Sequence, residues 1–249
     1  MIDSNSCCGL FYFYAMKHGL LLLFILSLLS FNDVPVYTKK EVIGKFIPEQ
    51  HNKFVKVSDR WAQKTIYLRK VVNDAFVKMA KDAQKDGVSL TIVSGTRNHQ
   101  RQTEIWEEKW ERFKGGSKDK ASEILQYSSM PGTSRHHWGT DFDLNSVESD
   151  YFNQGEGKRV YTWLNKNAWK YGFFQPYNSL GEGRNVGYKE EKWHWSYYPE
   201  SRRILKAYNN LVGYKDIQGF SGSNLGEEFQ VIEHFVNAIY TPKSVKNKD

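Results

Sequence analysis

One short stretch of the chain concentrates side chains that could bind a metal ion. The sequence TSRHHWGTDFDL, residues 133–144, sets two adjacent histidines before two aspartates at alternate positions. Side chains alternate along a β-strand, so a strand here would project Asp141 and Asp143 from one face and turn Phe142 and Leu144 towards the core. Two carboxylates on one face repel each other unless a cation or a base lies nearby. The pattern therefore predicts a site beside this strand.

The histidines of this stretch are the first candidate ligands. His136 and His137 precede Asp143 by seven and six residues, and Gly139 would allow a tight approach between the histidines and the strand. A catalytic zinc site generally uses three protein ligands and leaves one position open. The stretch supplies two of them, so a third ligand must come from elsewhere in the chain.

A second stretch, EEKWHW at residues 190–195, could supply that ligand. His194 follows Glu191 by three residues, and Trp193 and Trp195 flank the histidine. A glutamate that lies near a metal ion without binding it can take a proton from bound water. The alternative interpretation is that these histidines are ordinary hydrogen-bonded residues of a core or a surface.

The N-terminal sequence indicates export. MKHGLLLLFILSLLS, from Met16, joins a short basic start to an apolar run over residues 20–29. This run is shorter than the about 20 residues that span a bilayer, and it is typical of a secretory signal. Both cysteines, Cys7 and Cys8, precede it. An exported chain would therefore hold any metal ion through histidine, aspartate and glutamate, without thiolates.

The composition favours a globular protein in anionic surroundings. The 249 residues are 40% hydrophobic and 15% aromatic, and the net charge is +7. Acidic wall polymers or anionic lipids suit this charge. Nucleic acid is not expected as a partner, because the basic residues are spread along the chain and no recognition motif is present.

Periodic patterns predict one α+β domain, in which a small antiparallel sheet carries the site and helices flank it. Apolar residues at helical spacing predict amphipathic helices within residues 67–87, 96–113 and 157–172. The alternation in KWHWSYY, residues 192–198, predicts a strand with His194 on one face and the flanking aromatic residues on the other.

The chain is expected to divide into four segments. Residues 1–30 would be a signal peptide or an N-terminal membrane anchor, and the polar residues 31–60 a linker. The domain that carries the site would cover residues 61–205, and a C-terminal helical extension would cover residues 206–249. Within the extension, SNLGEEFQVIEHFVNAIY predicts one capped helix. The sequence gives no indication of the oligomeric state.

The two histidine stretches resemble the D-alanyl-D-alanine carboxypeptidase family of zinc peptidases, with its D,D- and L,D-carboxypeptidase branches. The pattern Ser-x-His-x-x-Gly, an aspartate four residues on, and Glu-x-Trp-His read here as SRHHWGTDFD and EKWHW. SGTRNHQRQ and YGFFQPY are similar to further family motifs, in the family's order, over about residues 65–200. The resemblance implies a zinc peptidase of the periplasm or cell envelope that hydrolyses bonds next to D-amino acids in peptidoglycan stem peptides.

The resemblance also implies roles for individual residues. Three residues would bind Zn²⁺: His136, Asp143 and His194. Glu191 would be the general base, and Arg97 would stabilise the polarised carbonyl or hold a substrate carboxylate. The substrate would be contacted by Arg97, Gln102, Ser134 and Trp193.

This sequence departs from the family pattern at several positions. Asp141 stands where a small or apolar residue is usual, so it is either a residue that orients a ligand histidine or an alternative ligand. His137 is a rival to His136 for the same reason. Lys192 replaces the usual proline after the catalytic glutamate, and Thr96 replaces a common aromatic residue.

Two other functions stay open at this point. One is an endopeptidase that cuts inside cross-links, which would depend on whether the loop 115–132 closes the cleft. The other is a non-catalytic module that binds cell-wall peptides. Such a module has no need of a base at position 191, so the presence of Glu191 favours catalysis.

Overall fold

A four-stranded antiparallel sheet carries the predicted site. The computed structural model describes residues 37–246. The strands, in spatial order, are β3 (Ile92–Ser94), β4 (Asp141–Leu144), β6 (His194–Tyr197) and β5 (Phe173–Phe174). A separate antiparallel pair joins β1 (Phe54–Lys56) to β2 (Tyr67–Arg69). The predicted α+β class with a small antiparallel sheet is confirmed.

The helices account for most of the remaining regular structure. The α-helices of the described residues are α1 (Lys39–Val42), α2 (Lys70–Lys85), α3 (His99–Arg112), α4 (Ser117–Ile124), α5 (Gly155–Asn167), α6 (Tyr198–Leu211) and α7 (Lys243–Lys246). The helical spacing therefore predicted α2, α3 and α5 correctly. No helix within residues 37–246 is long and apolar enough to cross a bilayer, and the predicted signal or anchor lies outside the described residues.

One face of the sheet is packed against a hydrophobic core. Phe142 of β4 contacts Phe76 of α2 and Phe173 of β5, with both pairs of ring centroids 5.2 Å apart. Leu144 and Trp195 are buried in the same cluster. Burial of such large side chains is the main favourable contribution to folding, so this face fixes the orientation of β4 and β6.

The strand register places the polar side chains on the other face. Asp141 pairs with Ser196 of β6, and Asp143 pairs with His194. Because side chains alternate along each strand, these four project together from the sheet. The prediction of which side chains share a face is therefore correct for β4 and β6.

Residues 37–60 are part of the folded unit, so the prediction of a linker is wrong for them. Tyr37, Val42 and Ile43 are buried in a second hydrophobic cluster with Trp106 of α3. The apolar residues of this segment are few and lack a regular period. They are buried through contacts with residues far along the chain, which local patterns do not reveal.

The C-terminal region also differs from its predicted form. The helix α6 begins before residue 205 and crosses the expected domain boundary. In place of one capped helix, residues 223–240 contain a 3-10 helix (Ser223–Leu225) and a π-helix (Ile232–Val236). Gln230 lies between them with φ +49°, a left-handed conformation that interrupts a helix.

Candidate metal centre and cleft

A short turn delivers the histidines to the sheet. Residues Arg135–Trp138 form a 3-10 helix that ends at Gly139, where φ is +69°. Glycine adopts this conformation readily, and a Cβ at position 139 would lie only 2.3 Å from the ring of Phe54. The predicted need for glycine is therefore explained by the turn and by the approach of Phe54.

The turn brings three candidate ligands together. His136 Nε2 lies 3.4 Å from Asp143 Oδ1, and His194 Nδ1 lies 3.3 Å from the same oxygen. The candidate ligand atoms of all three buried residues lie within 4.8 Å of one another. Asp143 Oδ1 is buried and has no hydrogen-bond partner among the described residues. The two imidazoles and the carboxylate of these residues match the donor set of a catalytic zinc site.

Hydrogen bonds determine which ring nitrogen of His136 and of His194 faces Asp143 Oδ1. His136 Nδ1 lies 2.8 Å from the carbonyl oxygen of Gly95, to which it donates, so Nε2 is free. His194 Nε2 lies 3.0 Å from Asp141 Oδ2, so it is Nδ1 that faces Asp143 and Glu191. The rings meet edge to face, with centroids 4.8 Å apart. Such outer contacts fix the orientation of metal-binding histidines.

Asp141 and His137 are supporting residues. Asp141 is outside the ligand group, because its Oδ2 faces His194 Nε2 and accepts a hydrogen bond from Arg135. His137 Nδ1 lies 2.7 Å from the carbonyl oxygen of Arg97, and Nε2 accepts the N–H of Gly132 at 3.1 Å. Both nitrogens of His137 are thus occupied, and burial lowers its pKa to about 3. Of the two histidines, His136 alone belongs to the group that could hold a metal ion, so the arrangement favours His136 as the ligand.

The charges of the site are strongly coupled. Burial disfavours protonated His194, but three surrounding carboxylates hold its pKa well above the ordinary value: Asp141, Asp143 and Glu191. Burial lowers the pKa of His136, and the positive charge of Arg97 lowers it further. Burial alone would raise the pKa of Asp143, but the neighbouring His136 and His194 hold it well below its usual range. A metal ion that binds here must therefore displace the proton that His194 carries.

Glu191 lies next to the ligands without belonging to their group. Its Oε2 is 3.3 Å from His194 Nδ1, and the side chain is buried. Burial raises the pKa of Glu191, although contact with His194 opposes the rise. A carboxylate with a raised pKa, beside a metal centre, has the properties of a general base.

The site opens into a cleft of about 500 Å³. Its lining includes two cations, Arg97 and Lys109, and the acidic residues Glu148 and Asp150. Arg97 Nε is buried without a partner, and neither cation forms an ion pair with a described residue. Burial and the nearby Arg97 lower the pKa of Lys109. The cleft therefore presents unpaired positive charge beside the candidate metal centre.

The remaining predicted substrate residues are placed differently. Trp193 lines the cleft. Gln102 is fully buried on α3, where its Nε2 donates to the carbonyl oxygen of Ser129 at 2.8 Å. Ser134 is also buried, and its Oγ has no partner among the described residues. Neither Gln102 nor Ser134 belongs to the cleft lining, so their contact with substrate stays a prediction.

Sequence reasoning missed some of the cleft lining. Lys109 belongs to the charged helix α3 and lies one helical turn beyond Ile105, which also lines the cleft. That spacing could have indicated their common face. Tyr127 follows the helix α4 in the segment 115–132, which is therefore only partly a loop, and its ring centroid lies 6.4 Å from that of Trp193. No periodic signal marks Tyr127.

Curated proteins with similar sequences include two carboxypeptidases. The D-alanyl-D-alanine carboxypeptidase of Enterococcus faecalis (strain ATCC 700802 / V583) is 32% identical over 118 residues, which are 46% of this chain and 42% of that protein. The D-alanyl-D-alanine carboxypeptidase of Enterococcus faecium is 27% identical over 193 residues, or 73% and 57% of the two chains. This chain thus spans about half the length of the curated relatives it matches.

Solved structures share the fold. The structure of the LdcB LD-carboxypeptidase, described as revealing the molecular basis of peptidoglycan recognition, has a TM-score of 0.51 and 26% identity, and the match covers 68% of this chain and 77% of that one. VanYB in complex with D-Alanine-D-Alanine has a TM-score of 0.50 and 24% identity, with coverage of 66% and 88%.

The family model described as VanY: D-alanyl-D-alanine carboxypeptidase matches residues 65–200. This span covers more than half of the chain and contains all three candidate ligands together with Glu191. The chain therefore belongs to the VanY D-alanyl-D-alanine carboxypeptidase family.

Proposed function

We propose that this protein is a zinc-dependent carboxypeptidase that hydrolyses a peptide bond next to a D-amino acid in peptidoglycan stem peptides. The observation that carries the proposal is the group formed by His136, Asp143 and His194, with the buried Glu191 within 3.3 Å of His194. A module that only binds peptides would gain nothing from a buried carboxylate at that point, because its burial is costly.

The chemistry follows from the side chains of the cleft. Zinc held by the three ligands would acidify a water molecule and polarise the peptide carbonyl group. Glu191 would accept a proton from the attacking water molecule at a carboxylate oxygen and deliver it to the departing amine. Arg97 places a guanidinium where negative charge develops on the carbonyl oxygen or where the substrate carboxylate lies. Trp193 shields this part of the cleft from solvent.

The unpaired cations favour a carboxypeptidase over an endopeptidase. A carboxypeptidase must bind the free carboxylate at the end of its substrate, and charge-assisted hydrogen bonds to carboxylates are strong. Arg97 and Lys109 offer positive charge in the cleft without a carboxylate partner among the described residues. A peptide cut within a cross-link lacks that terminal carboxylate at the same place.

Peptidoglycan peptides are the proposed partner, and the cell envelope is the proposed location. Support comes from the apolar signal-like run at residues 20–29 and from the net charge of +7, which suits acidic surroundings. The relatives named carboxypeptidases, and the LdcB structure described in terms of peptidoglycan recognition, point to the same substrates. Retention of the N-terminal run as an anchor is the alternative to its cleavage.

The proposal is tested by product analysis. The purified protein is incubated with stem peptides that end in D-Ala-D-Ala, with tetrapeptides that end in one D-Ala, and with cross-linked dimers. Loss of one terminal D-Ala, abolished by a chelator and by Glu191→Ala, supports a carboxypeptidase, and the peptide that is cut identifies the D,D- or L,D-branch. Cleavage of the cross-linked dimer alone would establish an endopeptidase. No cleavage with zinc bound would establish a binding module.

A further inference from the structure

A buried ion pair lies directly behind His194. Asp141 and Arg135 are 0% and 1% exposed. Asp141 Oδ2 accepts a hydrogen bond from Arg135 Nε at 2.9 Å and lies 3.0 Å from His194 Nε2. The carboxylate thus contacts the ring nitrogen that is turned away from the candidate metal centre.

The second carboxylate oxygen is held as firmly as the first. Asp141 Oδ1 accepts hydrogen bonds from Thr140 Oγ1 at 2.6 Å and from Ser196 Oγ at 2.9 Å. Arg135 Nη2 in turn donates to Ser196 Oγ at 2.7 Å. With donors on both oxygens, the Asp141 carboxylate has no freedom to rotate, and the ring that it contacts shares this constraint.

Stability alone does not account for such a pair. Removing two charges from water is costly, and apolar residues of similar volume often stabilise a core as well or better than a buried ion pair. The pair is, however, in contact with one of the three candidate ligands. His194 can donate its Nε2 proton only if a fixed acceptor lies there, and Nδ1, 3.3 Å from Asp143 Oδ1, is then the nitrogen left for a metal ion.

We propose that Asp141 and Arg135 are positioning residues for metal binding. Asp141 selects the tautomer of His194 and fixes the ring with Nδ1 towards the site, and Arg135 fixes the position of the Asp141 carboxylate. This inference rests on the proposed function, because it concerns the metal site of that function. Partners of this kind contribute about 10- to 100-fold to metal affinity or activity.

The first test measures zinc affinity of the full chain by competition with a chromophoric chelator. The double variant Arg135→Met/Asp141→Ala removes both charges together, so that neither is left buried without its partner. We expect its zinc affinity to fall about 10- to 100-fold. We also expect its cobalt-substituted form to give an absorption spectrum different from that of the wild type, since the ligand ring is no longer fixed.

Thr140→Val is the matched control. It removes one hydrogen bond from the same carboxylate at Oδ1 and leaves the Oδ2 contact with His194 in place. A purely structural role of the network would lower the thermal stability of both variants and leave both zinc affinities unchanged. That result, with an unaltered cobalt spectrum for the double variant, would overturn the inference.

A second measurement needs no variant. Long-range proton–nitrogen correlation spectra of the zinc-loaded wild type distinguish the two nitrogens of each histidine. We expect His194 to carry its proton on Nε2 and to bind zinc through Nδ1. Zinc bound to His194 through Nε2 would overturn this inference alone, whereas a wild type that binds no zinc would overturn the proposed function with it.

Discussion

At the scale of single residues, Glu191 separates catalysis from metal binding. It is buried beside His194, but it is not one of the three ligands. Glu191→Gln keeps the volume and removes the base, so we expect kcat to fall by a factor of about 10² to 10⁴ while zinc content stays at one ion per chain. Steady-state kinetics and metal analysis of the same preparation measure both quantities. A variant with wild-type kcat would show that Glu191 is not the base.

Lys109 offers a second test at this scale. Lys109 is half-buried in the cleft and has no ion pair with a described residue, so it is available to a substrate carboxylate. We expect Lys109→Met to raise KM about tenfold, which corresponds to about 1.4 kcal/mol, with little change in kcat. Lys114→Met, at an exposed position just beyond α3, is the control and is expected to leave KM unchanged. Equal KM values for both variants would exclude Lys109 from substrate binding.

The residues of the centre could be predicted from sequence only in part. Spacing and residue type singled out Asp141, Asp143, His194 and Glu191 as candidates, and the family resemblance implied their roles. Alternation along a strand places both aspartates on one face but does not choose between them. The choice between His136 and His137 could not be made in this way. It depends on the carbonyl oxygen of Arg97 and on the N–H of Gly132, which occupy both nitrogens of His137. Such partners are known only from the folded structure.

At the scale of elements, the turn before β4 has a strict geometric requirement. Gly139 has φ +69°, and a Cβ there would collide with the ring of Phe54, whereas Gly87 has φ +72° with nothing within 4 Å of a Cβ. We expect Gly87→Ala to lower the free energy of unfolding by about 1–2 kcal/mol, the usual cost of a left-handed residue. Gly139→Ala is expected to cost more and to weaken zinc binding, because His136 lies on the displaced turn.

Urea unfolding of the two glycine variants isolates the effect of the collision. The backbone conformations are nearly equal, so the difference between the two changes in unfolding free energy reports the contact with Phe54. Equal losses of stability, with unchanged zinc affinity in Gly139→Ala, would contradict this account of the turn.

Elements with a clear period were predictable, and elements without one were not. The helix α2 buries one regular face, which its sequence displays, and β4 shows the alternation of apolar and acidic residues although all four of its residues are buried. Residues 223–240 have apolar residues at helical spacing, of which Leu225 and Ile232 are buried and Phe229 and Phe235 are half-buried. The left-handed Gln230 nevertheless divides this segment. Apolar residues at helical spacing can therefore be buried even where the chain does not form a continuous helix.

At the scale of the whole molecule, the N-terminal residues of the described part are tied to the site through Arg69. This residue is 2% exposed. Its Nε donates to the carbonyl oxygen of Trp138 at 2.6 Å, and its Nη2 donates to Glu41 Oε1 at 2.7 Å. Arg69 thus connects residues 37–60 to the histidine turn. This connection joins residues far apart in sequence, which is why local patterns indicated only a linker.

The pair of Glu41 and Arg69 gives a pH-dependent contribution to global stability. Burial would raise the pKa of Glu41, but the hydrogen bond and charge of Arg69, followed by Lys53, outweigh it and hold the pKa below the ordinary 4.5. A carboxyl group whose pKa is lower in the folded state stabilises the protein at pH values above its unfolded pKa. This stabilisation is lost as the pH falls through the folded pKa.

We therefore expect Glu41→Gln to lower the free energy of unfolding by about 3 kcal/mol at pH 7, because the buried Arg69 loses its closest counter-charge and keeps only Glu200, whose Oε1 lies 3.6 Å from Arg69 Nη1. The difference from the wild type should shrink progressively below pH 4.5, where the wild-type carboxyl group also becomes neutral. Urea unfolding of both proteins, from pH 7 to below pH 4.5, measures this difference in the free energy of unfolding. Glu49→Gln, at an exposed position of the same segment, is the control and should match the wild type throughout. A Glu41→Gln protein as stable as the wild type at pH 7 would show that this ion pair does not hold residues 37–60 to the domain.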